Sequence, residues 1–255
     1  MTRPRVLIGL IGANIMGSLS PALFAGAFAA AGIDGFYHLI DVDRLPGRRL
    51  PQLLDALKAA GFAGANITYP FKQDVMALLD AVDPEAAQTG AINTVAIAPD
   101  GRATGYNFDR RGWRHGFEEI FGRDGARATT LKNDLAKYYG ASRCRVTSDL
   151  AADIAAADGV VNATQVGMRG FPGNPVPVSA LSATHWCADV VYTPIETEFI
   201  RAAAAKGCRV MTGAGMCVHQ AVEAFRLFTG VEPDLARLHR AFATALAARD
   251  SGGCR

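Results

Sequence analysis

Short apolar runs alternate along this chain with longer stretches in which apolar residues recur at the spacing of a helix. Such alternation is typical of a parallel or mostly parallel sheet covered by helices. The apolar runs predict strands over 6–11, 36–41, 64–68, 94–98, 103–107, 144–147, 159–163, 187–192 and 208–211. The periodic stretches predict helices over 21–31, 50–60, 72–79, 110–121, 126–139, 150–156, 196–206, 216–229 and 233–248. We therefore expect an α/β fold.

A domain boundary fits best after Asp109, where a strand-like segment gives way to a predicted helix. A chain of 255 residues suits one large domain or two small ones. We expect one domain over 1–109 and a second over 110–231. The last helix, within 232–255, is free to fold back on the first domain.

The composition is that of a well-packed globular protein, because 50% of the residues are apolar and only 20% are charged. The net charge of +2 gives no field that would favour nucleic acid or a membrane surface, so a small molecule is the expected partner. The five cysteines are odd in number and lack C-x-x-C spacing, which argues against a disulfide framework and against a zinc site, and we expect no metal. The N-terminal apolar stretch is too short for a signal peptide, and no run of about 18 apolar residues suggests a membrane span. We therefore expect a cytoplasmic protein.

Lys72 is the first candidate for chemistry, at the end of the segment Asn66-Ile-Thr68-Tyr-Pro-Phe-Lys72. Pro70 cannot donate to a sheet ladder or sit inside a helix, so the chain should leave a strand here. Lys72 then stands at the carboxyl end of a strand, where open α/β sheets bind ligands. Most lysines are solvated surface charges, so the spacing alone leaves both interpretations open.

The segment Gly12-Ala-Asn14-Ile-Met-Gly17 nearly matches the G-x-G-x-x-G loop that binds dinucleotides, and Asp41 ends the next strand as a ribose-binding acid would. One hypothesis is therefore a dehydrogenase whose cofactor binds at this N-terminal loop, 12–17. The match fails at the second glycine, since Asn14 puts a side chain where the backbone must approach the pyrophosphate.

The residues after this loop, Ser18-Leu-Ser20-Pro21, predict a helix that begins at Pro21 with Ser20 as its N-cap. Two hydroxyls beside the positive end of a helix suit an anionic group such as a carboxylate. The alternative is that Ser20 only caps the helix and Ser18 only faces water.

Seven short motifs stand in order along nearly the whole chain: Ser18-Leu-Ser20-Pro21, Asn66-Ile-Thr68-Tyr-Pro-Phe-Lys72, Gly90-Ala-Ile-Asn93-Thr94, Gly105-Tyr-Asn107-Phe-Asp109, Asn162-Ala-Thr164-Gln-Val-Gly167-Met168, Asp189-Val-Val-Tyr192-Thr-Pro, and Gly213-Ala-Gly215-Met216 with Gln220. In this order they resemble the shikimate dehydrogenase family, including its quinate/shikimate members. Each motif alone is weak, but the ordered set is highly specific.

The resemblance implies an N-terminal α/β substrate domain, which binds a hydroxylated cyclohexane or cyclohexene carboxylate, and a C-terminal Rossmann-like domain, which binds NAD or NADP. On the boundaries above, the substrate-binding and catalytic domain is 1–109 and the cofactor domain is 110–231. The implied activity is a reversible oxidation at a CH–OH group. It interconverts shikimate and 3-dehydroshikimate, or quinate and 3-dehydroquinate, and belongs with the shikimate pathway of aromatic amino acid biosynthesis.

The resemblance also implies roles for individual residues, with Lys72 and Asp109 as the catalytic pair. It implies substrate contacts through Ser18, Ser20, Thr68, Asn93, Tyr192 and Gln220, and cofactor contacts through Asn162, Thr164, Gly213, Gly215 and Met216. Alcohol oxidation by hydride transfer needs an acid/base within hydrogen-bond reach of the oxygen, and a lysine beside an orienting carboxylate can serve. Local sequence alone leaves structural alternatives open, namely a helix cap for Asp109 and simple turns for the two cofactor motifs.

The resemblance breaks near 122–124. Here the family has a strand, a G-x-G-G-x-G-type loop and a helix, on the order of 30 residues that supply the pyrophosphate site, and this chain has no counterpart. Either the sequence omits a segment that the molecule contains, which the well-preserved flanks favour, or a deletion has left a non-catalytic binder of a shikimate-like carboxylate. At the junction Arg123 fits an NADP-type sequence and Asp124 an NAD-type sequence, and Asp124 favours NAD slightly.

A smaller departure is Phe108, where the family usually has threonine. A bulky ring beside Asp109 leaves the choice between shikimate and quinate open. The oligomeric state is open too, and a homodimer is one option.

Overall fold

The computed structural model describes residues 5–121 and 149–252. The predicted strand 144–147, the predicted helix 126–139 and the junction near 122–124, with Arg123 and Asp124, lie outside the described residues. Within them, strands and helices alternate as expected, and the α/β prediction is confirmed. None of the helices in these two stretches combines the length and the hydropathy that a membrane span needs.

The chain divides into two compact units, and the first is discontinuous in sequence. Unit 1 contains the residues up to Arg111 together with those from Val218 onward, and unit 2 contains Gly112–Cys217. The first boundary lies close to the expected position after 109. The second lies inside a helix at 217 and 218 rather than at the expected position after 231.

Unit 1 is built on a six-stranded mixed sheet. Its strands are β1 Arg5–Gly12, β2 Asp34–Asp41, β3 Gly64–Ile67, β4 Ala81–Val82, β5 Thr94–Ile97 and β6 Ala103–Tyr106. Their order is β2-β1-β3-β5-β6-β4; β1 is parallel to β2 and β3, β5 is antiparallel to β3 and β6, and β4 is parallel to β6. The carboxyl end of β3 therefore lies beside the amino end of β5, which brings the segment after β3 to the residues before β5.

The helices of unit 1 cover both faces of this sheet. They are α1 Ser20–Ala31, α2 Leu50–Ala59, α3 Pro84–Thr89, the start of α4 Asp109–Phe121, the greater part of α7 Gly213–Thr229, and α8 Leu235–Gly252. α1 packs against Tyr37 and α2 against Ile40, and these two residues point to opposite faces because three positions separate them on β2.

Apolar spacing explains why each helix lies where it does. In α2, four leucines at helical spacing are all buried on one face, Leu50, Leu53, Leu54 and Leu57. In α1, the rings of Phe24 and Phe28 lie 6.1 and 5.4 Å from the ring of Phe225 on α7. This aromatic packing is the physical reason why the end of α7 belongs to unit 1. α8 also packs on α1.

Unit 2 contains a three-stranded parallel sheet in the order β7-β8-β9. Its elements are β7 Gly159–Asn162, β8 Trp186–Asp189, β9 Arg209–Met211, α5 Leu150–Ala156 and α6 Glu198–Ala205. Ile154 of α5 and Phe199 of α6 are buried with Cys187 of β8 in one apolar cluster. Among the described residues β7 pairs with β8 alone, and Val161 on β7 is 39% exposed.

Two local predictions differ from the structure around α3. The predicted helix 72–79 is a short 3-10 turn, Asp74–Leu78, that follows the turn closed by Phe71 N donating to Thr68 O. The helix α3 was not predicted, although Asp83 caps it by accepting from two backbone amides and Gly90 ends it in the left-handed region. An Asp-Pro pair six residues before a glycine is a sequence signal for such a helix.

Candidate functional site

Lys72 lies just beyond the carboxyl end of β3, as its spacing predicted. Thr68 N donates to Ile11 O at 3.0 Å, which keeps the segment beside β1 for one more residue. Ile92 N then donates to Lys72 O at 2.6 Å, so the backbone of Lys72 is fixed to the residues that precede β5. The lysine therefore lies near the carboxyl ends of β1 and β3 and the amino end of β5.

Asp109 is the first residue of α4. Its backbone N–H donates to Asn107 Oδ1 at 2.9 Å, and Asn107 Nδ2 donates in turn to Ala91 O at 2.9 Å. Asn107 therefore closes the turn that begins the helix. The carboxylate of Asp109 bonds side chains of other elements.

Three donors from three separate elements converge on this carboxylate. Lys72 Nζ lies 2.7 Å from Asp109 Oδ2, although 37 positions separate the two residues. Asn93 Nδ2 and Gln220 Nε2 donate to Asp109 Oδ1 at 2.9 and 2.7 Å. Gln220 comes from α7, 111 positions away, so the structure brings four of the predicted site residues together.

The pair remains accessible from solvent. The side chain of Lys72 is 35% exposed and that of Asp109 is 27% exposed. An ammonium has three donors, and Asp109 occupies one of those of Lys72, so hydrogens of the same group remain for a ligand hydroxyl. The arrangement can hold a hydroxyl oxygen and exchange a proton with it.

Ser18 and Ser20 lie at the start of α1, but the predicted cap at Ser20 is wrong. The helix begins at Ser20, its N-cap residue is Leu19, and no side chain caps it. The reason is that Ser18 Oγ already accepts from Ser20 N at 3.2 Å and folds the turn before the helix. Both serines are partly buried, and the side chain of Ser20 is not used as a cap.

The N-terminal glycine loop is explained by contacts inside unit 1. Asn14 lies at φ 54, and its backbone N–H donates to Asp41 Oδ1 at 3.1 Å. Ile15 N donates to the other oxygen of Asp41 at 3.1 Å, and Asp41 is only 5% exposed. A side chain at Gly12 would strike the methyl group of Thr68. Asp41 is thus occupied by the loop itself and does not face a ribose, which disfavours the N-terminal cofactor hypothesis.

Phe108 does not project into solvent beside Asp109. It is 4% exposed, its ring stacks on that of Tyr106 at 5.9 Å, and the guanidinium of Arg111 lies 5.8 Å from the ring centre. The bulky ring therefore fills the interior below the site.

In unit 2, Asn162 stands at the carboxyl end of β7 with its side chain fully engaged. Its Oδ1 accepts from Thr164 N and Oγ1, and its Nδ2 donates to Val166 O at 2.9 Å and to Asp189 Oδ1 at 3.0 Å. Asp189 is fully buried and also accepts from Thr197 Oγ1 at 2.7 Å. Asn162 therefore shapes the loop that carries Thr164 through local bonds, as the strand-end-turn alternative expects.

Gly213 and Gly215 are explained by close backbone packing within unit 2. A side-chain carbon at Gly213 would lie 2.6 Å from Val191 O. One at Gly116 of α4 would lie 3.0 Å from Gly215 C and from Met216 N. Gly116 and Gly215 thus let α4 and the start of α7 approach closely, whereas Gly213 lets α7 begin against the backbone at Val190 and Val191. Sequence reasoning did not single out Gly116.

Two other side chains of unit 2 could take part in binding or catalysis. Tyr192, a predicted substrate contact, follows β8 and is 39% exposed. Burial, together with the neighbouring Cys208, raises the pKa of Cys187 to about 12, so this thiol stays protonated and is not a nucleophile.

Sequence reasoning also missed residues that support the Lys72–Asp109 pair. Thr94 and Asn66 lie in two of the motifs but had no predicted role, yet Asn66 Nδ2 donates to Thr94 Oγ1 at 3.0 Å and Thr94 Oγ1 donates to Asn93 Oδ1 at 2.9 Å. Arg110 and Arg111 directly follow Asp109, and Glu85 of α3 accepts from the Nε of each at 2.8 Å. The Asp-Pro-Glu signal of α3 could have pointed to Glu85.

Comparison with known proteins places both parts of the chain in one family. The model of the shikimate dehydrogenase substrate binding domain matches residues 10–95. The model of the shikimate 5'-dehydrogenase C-terminal domain matches residues 213–241.

Relatives cover almost the whole chain. The quinate/shikimate dehydrogenase (NAD(+)) of Corynebacterium efficiens is 40% identical over 281 residues, which cover 95% of this chain and 99% of the relative. The structure of quinate dehydrogenase from Corynebacterium glutamicum in complex with NAD has a TM-score of 0.82 at 39% identity, covering 95% of this chain and 100% of that one. Shikimate 5-dehydrogenase from Thermus thermophilus, in complex with NADP(H) and shikimate, has a TM-score of 0.78 at 31% identity, covering 94% and 100%.

The first of these alignments is longer than this chain, which has 255 residues in all. The alignment with the Corynebacterium efficiens protein therefore contains gaps on this chain's side, which agrees with the expectation that a segment of the family is missing here. Two family models matched in order, and a relative 40% identical across 95% of the chain, show that this protein belongs to the shikimate dehydrogenase family, whose members are NAD(P)-dependent oxidoreductases acting on a CH–OH group.

Proposed function

We propose that this protein interconverts shikimate and 3-dehydroshikimate, or quinate and 3-dehydroquinate, with Lys72 and Asp109 as its catalytic pair. The observation that carries the proposal is the 2.7 Å contact between Lys72 Nζ and Asp109 Oδ2. Asn93 and Gln220 hold the other carboxylate oxygen, so the carboxylate and the ammonium are oriented before a substrate arrives.

In this mechanism Lys72 exchanges a proton with the hydroxyl oxygen of the substrate. Asp109 accepts a hydrogen bond from Lys72 Nζ and keeps this nitrogen beside the substrate oxygen. In the direction of oxidation Lys72 acts as the neutral amine: as the C–H bond breaks, Nζ takes the hydroxyl proton and becomes an ammonium, and in the reverse direction the ammonium gives this proton to the ketone oxygen. The nicotinamide, when bound, would accept or supply the hydride.

The remaining unit 1 residues would hold the rest of the ring. We assign the carboxylate to Ser18 and Ser20, because the side chain of Ser20 is not needed as a helix cap, and the resemblance adds Tyr192 to this group. Thr68, Asn93 and Gln220 would bond the ring hydroxyls. These assignments follow the resemblance and, for the residues of unit 1, their position in that unit.

The described residues fit the nicotinamide end of a cofactor better than its pyrophosphate end. The loops after β7, β8 and β9 stand at the carboxyl edge of a parallel sheet, where open α/β sheets bind nucleotides. Thr164, the backbone at Gly213 and Gly215, and Met216 would line the cofactor there. The sequence contains no complete G-x-G-x-x-G loop that would supply amides to a pyrophosphate.

We propose NAD over NADP as the preferred cofactor. The relative from Corynebacterium efficiens is named for NAD, and the Corynebacterium glutamicum enzyme was solved with NAD. The Thermus thermophilus relative was solved with NADP(H), so a test must include both cofactors.

The direct test is a rate panel of shikimate and quinate against NAD and NADP, with the variants Lys72→Ala and Lys58→Ala. Lys58 is a matched control, because it is a partly exposed lysine of unit 1 with a carboxylate partner, Asp80, 3.9 Å away. We expect Lys72→Ala to lower kcat by at least about 100-fold, the usual scale for loss of an acid/base, and Lys58→Ala to leave it within about twofold. Wild-type turnover by Lys72→Ala would contradict the assignment.

A second candidate is a non-catalytic binder of a shikimate-like carboxylate. It is favoured by the alignment that exceeds the length of this chain. Calorimetry with shikimate, NAD and NADP separates the two, since a binder takes up shikimate but neither cofactor. The intact mass of the protein should be measured first, because a value of 26.9 kDa excludes an omitted segment.

A further inference from the structure

We propose that Thr94, with Asn66 and Tyr37 behind it, is a positioning residue that fixes the side-chain amide of Asn93 and, through it, the carboxylate of Asp109. The catalytic consequence rests on the function proposed above, whereas the positioning itself does not. Thr94 belongs to β5, Asn66 to β3 and Tyr37 to β2.

Four hydrogen bonds connect Tyr37 to Asp109, and their donors all point towards Asp109. Tyr37 OH donates to Asn66 Oδ1 at 2.9 Å, and Asn66 Nδ2 donates to Thr94 Oγ1 at 3.0 Å. Thr94 Oγ1 donates to Asn93 Oδ1 at 2.9 Å, and Asn93 Nδ2 donates to Asp109 Oδ1 at 2.9 Å. Because each acceptor group is also the next donor, the bonds polarise one another towards the carboxylate.

The register of β3 and β5 brings together the two middle residues of this hydrogen-bond series, Asn66 and Thr94. Asn66 and Thr94 are directly paired across the antiparallel strands β3 and β5, so their side chains stand on the same face. The pairing leaves Thr94 Oγ1 between Asn66 and Asn93. The hydroxyl accepts from one amide and donates to the other, which uses both of its functions.

The orientation of the Asn93 amide is fixed by two donors on its oxygen. Phe108 N donates to Asn93 Oδ1 at 3.0 Å in addition to the hydroxyl of Thr94. A flipped amide would face these donors with its own NH₂ and would put its oxygen against Asp109 Oδ1. The observed orientation is therefore the one that presents a donor to the carboxylate.

Burial makes this arrangement costly to disturb. Thr94 is 1% exposed and Asn93 is 7% exposed, so solvent offers little replacement for a lost partner. Without the Thr94 hydroxyl, the amide of Asn93 is held on its oxygen by Phe108 N alone. Rotation of that amide would leave Asp109 Oδ1 with Gln220 as its remaining donor and would put the Asn93 oxygen against it, which would shift the carboxylate relative to Lys72.

The test compares Thr94→Val, which removes the hydroxyl at nearly constant volume, with Thr94→Ser, which keeps the hydroxyl and loses a methyl group. Thr104→Val is the matched control, since Thr104 lies on the neighbouring strand β6 and is also paired within the sheet. Tyr37→Phe removes the hydroxyl that donates to Asn66 Oδ1, the first hydrogen bond of the series. If Thr94 mattered only for packing, the serine variant would be at least as damaged as the valine variant.

The first readout is independent of turnover: the two side-chain N–H resonances of Asn93 in ¹⁵N-labelled protein. We expect them to shift and broaden in Thr94→Val and to remain as in the wild type in Thr94→Ser and Thr104→Val. Unchanged resonances in Thr94→Val would overturn the proposal whether or not the protein is an active enzyme.

The second readout is kcat, which we expect to fall about 10-fold in Thr94→Val and about 3-fold in Tyr37→Phe, with Thr94→Ser close to wild type. In an Asn93→Ala background the valine change should have no further effect. An equal loss in that background would show that Thr94 acts independently of Asn93 and would also overturn the proposal. An inactive wild type with the expected resonance shifts would refute the proposed function and leave the positioning established.

Discussion

Replacing Asp109 by asparagine should release Lys72 while leaving the rest of the site nearly intact. The carboxylate has three donors, one on Oδ2 from Lys72 at 2.7 Å and two on Oδ1 from Asn93 and Gln220 at 2.9 and 2.7 Å. An asparagine has the same shape but carries an NH₂ on one side. Wherever that NH₂ lies, it faces at least one donor.

The structure decides between the two orientations of the new amide. An NH₂ in place of Oδ1 would lose two amide hydrogen bonds, about 2 kcal/mol at about 1 kcal/mol each. An NH₂ in place of Oδ2 would lose the bond to Lys72, which we put at about 1 kcal/mol because the two side chains are 35% and 27% exposed and solvent screens the pair. The second orientation costs less, so Asn93 and Gln220 stay bonded and Lys72 turns away.

The measurements are urea unfolding, kcat and the affinity for shikimate by calorimetry. We expect Asp109→Asn to lower the free energy of unfolding by about 1 kcal/mol, to reduce kcat by at least about 100-fold, and to change shikimate affinity only a few-fold. Asp100→Asn is the control, because Asp100 lies in a surface turn and pairs with Arg102. A wild-type kcat, or a loss of stability above about 3 kcal/mol, would refute this account of how the carboxylate is held.

Two further predictions concern stability. Gly116→Ala should lower the free energy of unfolding by up to about 2 kcal/mol, because forcing a methyl group against the α7 backbone costs about 1–3 kcal/mol and the gain in helix propensity returns about 1 kcal/mol. Gly17→Ala is the control in urea unfolding, since a methyl group there meets nothing within 4 Å, and a stabilised Gly116→Ala would contradict the packing. Burial raises the pKa of Glu85, but hydrogen bonds from Arg110 and Arg111 outweigh it and hold the pKa below its ordinary value of 4.5. A lowered folded pKa adds stability above the unfolded value and loses it as the pH falls through the folded value. The stability gap between wild type and Glu85→Gln should therefore be constant from pH 6 to 8 and shrink below about pH 4.5; a gap that does not depend on pH would exclude the ion pairs as its cause.

The sequence predicted the position of Lys72 but not its surroundings. Apolar spacing and Pro70 were enough to end a strand before the lysine, and the structure has it there. The partnership with Asp109 came from the family resemblance, since 37 positions separate the pair and no local pattern joins them. The roles of Asn66 and Thr94 depend on the register of two strands, which a single sequence does not reveal.

Local sequence patterns also gave incomplete predictions where the same residue type suits two different structural roles. Ser20 has the chemistry of an N-cap, but Ser18 accepts the amide of Ser20 and the helix begins one residue earlier than predicted. Gly213 and Gly215 suit a nucleotide contact, yet backbone packing within unit 2 already requires them to be small. Such competition can be resolved only when the neighbours in space are known.

The discontinuity of unit 1 has a consequence for synthesis on the ribosome. The rings of Phe24 and Phe28 pack against Phe225, and Gln220 completes the bonds to Asp109, so the first unit cannot close until the last part of the chain has emerged. The nascent N-terminal part must expose that aromatic surface while the whole of unit 2 is being translated, and it is then open to chaperones and to aggregation. The same connectivity means that unit 2 is an insertion in unit 1, so a recombinant exchange of unit 2 would need two joins in the chain.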